Sequence, residues 1–77
     1  MDKKIFAHRL KSHRELLGLT QKQTAAKIGI SERGYQCYEA LSGFKPPSVY
    51  FLFTIAETLD ISVDYLFGRT NNPKVNK

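Results

Sequence analysis

Glu32 and Arg33, followed one helical turn later by Gln36 and Cys37, place four hydrogen-bonding or polarisable side chains on one face of a short segment. A guanidinium in Arg33's position can donate two parallel hydrogen bonds to guanine O6 and N7, and Glu32 and Gln36 are candidates for neighbouring base edges. Cys37 is short and a weak donor, so its match would be a thymine methyl, with packing beneath the helix an equal alternative. Plainer readings stay open: Arg33 serving only a phosphate, and Glu32 only complementing a helix dipole. Gly34 costs roughly 1 kcal/mol against alanine inside a helix; close approach of backbone to a ligand would explain it, and so would drift.

A second set suits phosphate. Gln21 begins a helix, where free backbone N–H groups and the dipole favour an anion, although a simple N-terminal position is the bland alternative. Lys22 and Ser31 lie at helix starts, and Ser42 and Lys45 lie in a loop; all four are phosphate candidates. Other chemistry is hard to assemble. His8 and His13 are five residues apart, off one helical face, and no carboxylate or thiol joins them, so no metal site is expected. No nucleophile, base and orienting group can be combined, so an enzyme is not expected, and no cofactor is implied.

The elements that must carry these residues are helices. Phe6, Leu10 and Leu17 recur at spacings of four and seven between about Ile5 and Leu17, an amphipathic pattern that Gly18 ends. Thr20 with Gln23 spells a capping box for a second helix, Gln21 to Ile28, stopped by Gly29. Ser31 caps a third from Glu32 to about Ala40, and Leu41 to Pro47 is loop. Ser48 caps a fourth, whose expected core stripe is Val49, Leu52, Phe53, Ala56 and Leu59. Ser62 caps a last short helix, Val63 to Phe67, closed by Gly68. Residues 1–68 thus read as one all-α domain of five helices, and 69–77 as a polar, flexible tail. Because Gly29-Ile30-Ser31 is too brief for antiparallel packing, the second and third helices must cross steeply, the helix-turn-helix geometry.

Charge is segregated. Residues 1–45 carry a balance of +5, residues 46–68 have no Lys or Arg and three acids, and 69–77 add +3. A basic N-terminal half suits a polyanion. With 77 residues and one cysteine, a disulfide framework within the chain is excluded. The longest apolar run, Val49 to Ala56, is far short of the roughly 20 residues that span a bilayer, and the N-terminus lacks a signal-peptide pattern. A cytoplasmic protein, associated with the nucleoid when on DNA, is the expectation.

Arg9-Leu10-Lys11 with Arg14, Gly18-Leu19-Thr20-Gln21, Ala25, Gly29-Ile30-Ser31, Tyr38-Glu39, Pro47-Ser48, Leu52, Ala56, Leu59 and Ile61-Ser62-Val63-Asp64-Tyr65-Leu66-Phe67-Gly68 together resemble the Cro/repressor-type, xenobiotic-response-element-like helix-turn-helix family. The resemblance implies a lambda-repressor-like five-helix domain, a sequence-specific transcriptional regulator of double-stranded DNA, a repressor of phage or prophage type. It also implies a homodimer on a near-palindromic operator, and a partly buried ion pair between Arg14 and Glu39. There are departures. The loop from Ala40 to Pro47 is about two residues longer than the common pattern, so the family's phosphate contacts in this loop do not carry over directly. His13 and Thr24 stand where the family usually has leucine, and Gly34 and Cys37 where it prefers side chains that hydrogen-bond to DNA.

Tyr50 and Phe51 fall outside the expected stripe and, beside Phe44, would form an apolar patch suited to a two-fold dimer contact. The bland alternative is that the long loop folds back over them. Two further functions remain open at this level: the DNA-binding antitoxin of a toxin pair, using the acidic C-terminal half to hold a protein, and a helix-turn-helix module used only for protein interaction.

Overall fold

The computed structural model describes residues 2–75 and is all-helical: α1 Lys3–Leu16, α2 Gln21–Ile28, α3 Glu32–Glu39, α4 Val49–Leu59 and α5 Val63–Leu66. Helix α3 packs against α1 and α2, α4 against α2 and α5, and α1 against α5. Helices α2 to α5 open with the caps their sequences spell. The side chains of Thr20, Ser31, Ser48 and Ser62 accept from the N–H three residues on, and Gln23 returns a bond to the Thr20 N–H at 2.9 Å. Helix α1 starts two residues before the apolar pattern does, because the Asp2 carboxylate accepts from the N–H groups of Lys4 and Ile5.

Phe6, Leu10, Tyr35, Ile55, Leu59, Ile61 and Leu66 form the fully buried core. Leu17 is not in it. Helix α1 ends at Leu16, and Arg14 takes the inward position one turn after Leu10. Thr24, in a place expected to be more polar, is fully buried, and its hydroxyl donates to the Thr20 carbonyl at 2.9 Å.

Helix α4 corrects the expected stripe. Its inward face is Leu52, Ile55 and Leu59, with Ala56 at the edge, whereas Val49 is 68% and Phe53 57% exposed. Phe53 lies roughly 100° of helical rotation from Leu52. Both sides of α4 are apolar, so periodicity alone did not choose between two overlapping stripes.

Residues 70–73, expected to fray, are instead tied down. Arg9 Nη1 donates to the carbonyls of Tyr65 (2.6 Å) and Thr70 (2.7 Å), and its guanidinium lies 4.1 Å from the centre of the Tyr65 ring. The Ser62 N–H donates to the Pro73 carbonyl at 2.8 Å. His13, half-buried, meets the Leu59 carbonyl through Nε2 at 2.8 Å. None of the described helices is long and apolar enough to cross a membrane.

Candidate nucleic-acid interface

The turn between α2 and α3 is three residues long. Gly29 takes a left-handed φ of +85°, which places its own N–H and that of Ile30 on the Ala25 carbonyl at 2.9 and 3.0 Å. Ser31 then starts α3 at once, and its Oγ accepts from the Gly34 N–H at 3.0 Å. A Cβ on residue 34 would stand 3.1 Å from that Oγ, so alanine there would press on the cap. This gives Gly34 a reason in the fold itself.

What fixes α3 against the body is a carboxylate. Glu39 accepts from Arg14 Nε (2.7 Å) and Nη2 (3.0 Å), from the Gln21 amide (3.1 Å) and from the Tyr35 hydroxyl. Arg14 gives its remaining Nη1 to the Leu19 carbonyl at 2.7 Å. Arg14 and Glu39 are both buried, so the expected ion pair is present, bidentate and tied to three helices. Hydrogen bonding to Glu39 raises the Arg14 pKa above its usual value against the opposing pull of burial. Burial first, and the Glu39 carboxylate second, push the Tyr35 phenol well above the ordinary tyrosine range, so it stays a neutral donor. Tyr35 escaped the sequence reading, although its spacing of four from Glu39 on one helix was a usable signal.

The outward side of α3 is free. Glu32, Arg33 and Gln36 are exposed, and Cys37 is half-buried, with its thiol directed to the Arg33 carbonyl at 3.5 Å. Arg33, Gly34, Cys37 and Tyr38 of α3 line an open cleft of about 460 Å³, together with Ser31 at the helix start. Lys45 and Pro46 of the loop line it as well. The structure therefore brings Arg33, Cys37, Ser31 and Lys45 around one cleft.

At the start of α2, Lys22 is exposed, and Gln21 is half-buried with one amide N–H already given to Glu39. The backbone N–H groups of Gln21 and Lys22 precede the first intrahelical bond and are available to an anion. Ser42 is exposed in the loop and does not line the cleft.

The aromatic residues distribute differently from expectation. Phe44 does not join Tyr50; it is half-buried, edge-on to Phe6 with ring centres 5.9 Å apart. Phe51 is half-buried and stacks edge-on with Tyr50 at 5.2 Å. The exposed apolar residues of α4 are Val49, Tyr50 (73% exposed) and Phe53, and Phe53 borders a groove of about 430 Å³ with Ala56, Ile61 and Val63.

Comparison with known proteins agrees with this geometry. A family model described as helix-turn-helix matches residues 10–66. The chain is 41% identical over 69 residues to the uncharacterized HTH-type transcriptional regulator YobD of Bacillus subtilis, a match covering 90% of this chain and 60% of that protein. It is 43% identical over 61 residues to the cryptic phage CTXphi transcriptional repressor RstR of Vibrio cholerae, covering 79% of this chain and 53% of the repressor. It is also 32% identical over 69 residues to the HTH-type transcriptional regulator ImmR of Bacillus subtilis, covering 90% and 53%. The chain thus spans between about half and three-fifths of the length of these relatives. No solved structure matches it.

Proposed function

The chain belongs to the helix-turn-helix family, and on that premise we propose that it is a sequence-specific regulator that binds double-stranded DNA, a repressor of phage or prophage type acting as a homodimer on a near-palindromic operator. One observation carries the reading: α3 presents Glu32, Arg33 and Gln36 to solvent while its other face is anchored through Glu39. A helix held that way can enter a major groove with its first turn against base edges. Arg33 is assigned to a guanine, with Glu32, Gln36 and Cys37 reading neighbouring positions. The N-terminus of α2 with Gln21 and Lys22, together with Ser31, Ser42 and Lys45, is assigned to phosphates.

The two-fold contact is assigned to the outward face of α4, with Tyr50 at its rim and Phe53 in place of Phe51 at its centre. Support comes from their exposure and from a segment, 46–68, without Lys or Arg that would draw it to phosphate. The 43% identity to the phage transcriptional repressor RstR supports the repressor role.

Selection of bound sequences from random duplex DNA tests specificity and half-site symmetry together. A symmetric consensus is expected, with log K falling against log salt at a slope on the order of −5 to −9 if each subunit neutralises about three to five phosphates. Equal affinity for scrambled duplexes at moderate salt, or a flat salt response, overturns the proposal.

A further inference from the structure

We propose that Phe44 is a positioning residue for DNA contact: its ring, seated on the core, fixes the α3–α4 loop so that Lys45 faces the duplex beside Arg33. The inference rests on the DNA-binding reading above and assigns a task to a residue that touches no DNA itself.

Lys45 is the sole Lys or Arg between Arg33 and Arg69, so this long loop has a single cation to offer a phosphate. A lysine on a free loop of this length would sample many places, and holding it over one phosphate would cost ordering entropy at the moment of binding. The fold removes that freedom beforehand with two pins on successive residues. Phe44 packs edge-on against Phe6, a fully buried residue of α1, with centroids 5.9 Å apart and planes at 72°. The next N–H, of Lys45, donates to the Cys37 carbonyl at 3.1 Å. That carbonyl lies in the last turn of α3, where no intrahelical donor remains, so the loop supplies the missing partner.

Gly43, at a φ of +76°, makes the turn that sends the ring inward. Pro46 and Pro47 stiffen the chain beyond the pin. Lys45 and Pro46 thereby line the same cleft as Arg33 and Cys37. Phe44 thus does for a phosphate contact what Glu39 does for α3: it sets the place from behind.

The test is a double-mutant cycle read through salt dependence. The full chain carrying Phe44→Ala, Lys45→Ala, both changes, or Phe44→Leu is titrated with the selected duplex and with a scrambled one over a salt series. Folding of each variant is checked by circular dichroism at the same temperature. Phe44→Ala is expected to weaken both duplexes about equally and to lower the salt slope by about 0.9 per subunit, the loss of one phosphate contact. The same slope change is expected for Lys45→Ala, and the double variant should lose little more than either alone. Phe44→Leu, which refills the seat, should return the slope to that of the wild type.

A folded Phe44→Ala protein with an unchanged slope overturns the inference, as do losses that add to those of Lys45→Ala. Should Phe44→Ala not fold, a glycine inserted between Phe44 and Lys45 decides, because it leaves the ring seated and unlinks the lysine: a reduced slope supports the inference and an unchanged one overturns it. A wild type that binds no duplex at all is a different failure, that of the DNA-binding reading, and the inference falls with it.

Discussion

Helix α3 hides polar groups and α4 displays aromatic ones. On α3, Tyr35, Tyr38 and Glu39 are buried while Glu32, Arg33 and Gln36 face solvent; on α4, Ile55 and Leu59 are buried while Val49, Tyr50 and Phe53 stand exposed. Both helices are short and serine-capped. They differ in how orientation is enforced. The bonds that Glu39 accepts from Arg14, Gln21 and Tyr35 are directional, so α3 has one rotation and one depth. Helix α4 rests on non-directional apolar contact, and side chains of similar character lie on its outer side. A helix meant to present a fixed pattern to a partner is held by geometry; one with a greasy outer side is suited to burying it against another surface.

The sharpest way to break this contrast is to remove the enforcement on α3. Glu39→Leu strands the buried Arg14 guanidinium and leaves the Tyr35 hydroxyl without its acceptor, and should cost about 3–5 kcal/mol in urea unfolding. Arg14→Met alone should cost a similar amount. The two together should cost much less than the sum, because no uncompensated charge remains. Additive losses would show that α3 does not depend on the pair.

The next effect separates the two faces of α4. Ile55→Ala should destabilise by about 2–5 kcal/mol, whereas Phe53→Ala should change monomer stability by no more than about 0.5 kcal/mol. On the proposed dimer, Phe53→Lys should leave the fold intact and shift sedimentation from dimer toward monomer. A wild type that stays monomeric at high concentration, on and off DNA, or a Phe53→Lys protein that dimerises normally, would remove the assigned contact. The reverse ordering of Ile55 and Phe53 in stability would restore the stripe expected from periodicity.

How far the sequence could be read follows the same division. The bounds of α2 and α3 were legible because Thr20, Gln23, Gly29 and Ser31 are local signals that act on the next few residues. The exposed residues of α3 were legible because Glu32, Arg33 and Gln36 share the face away from its aromatic residues, Tyr35 and Tyr38. In α4 the run Val49 to Ala56 is apolar on every side but for Thr54, so a stripe of period 3.6 could be drawn through Phe53 as easily as through Ile55. The seat of Phe44 and the tether of residues 70–73 were not legible, since their partners, Phe6 and Arg9, lie far away in the chain. Of the candidate interface, the residue types and their helix were readable, but the cleft that joins Lys45 to Arg33 and Cys37 was not.

The smallest effect probes the outer face of α3, where fixed orientation should appear as sequence discrimination. Arg33 is exposed at the start of α3 and lines the cleft with Ser31 and Cys37, and the proposed docking sets its guanidinium against one base pair of the major groove. Arg33→Ala should therefore cost about 1–3 kcal/mol at one position of the selected site and little on a scrambled duplex, measured by competition against single-base variants. Lys22→Ala, near the start of α2, should weaken every duplex about equally and lower the salt slope. If Arg33→Ala instead lowers affinity uniformly and relaxes no position, Arg33 belongs with the phosphate contacts. The directional hold on α3 would then serve placement on the backbone rather than the reading of bases.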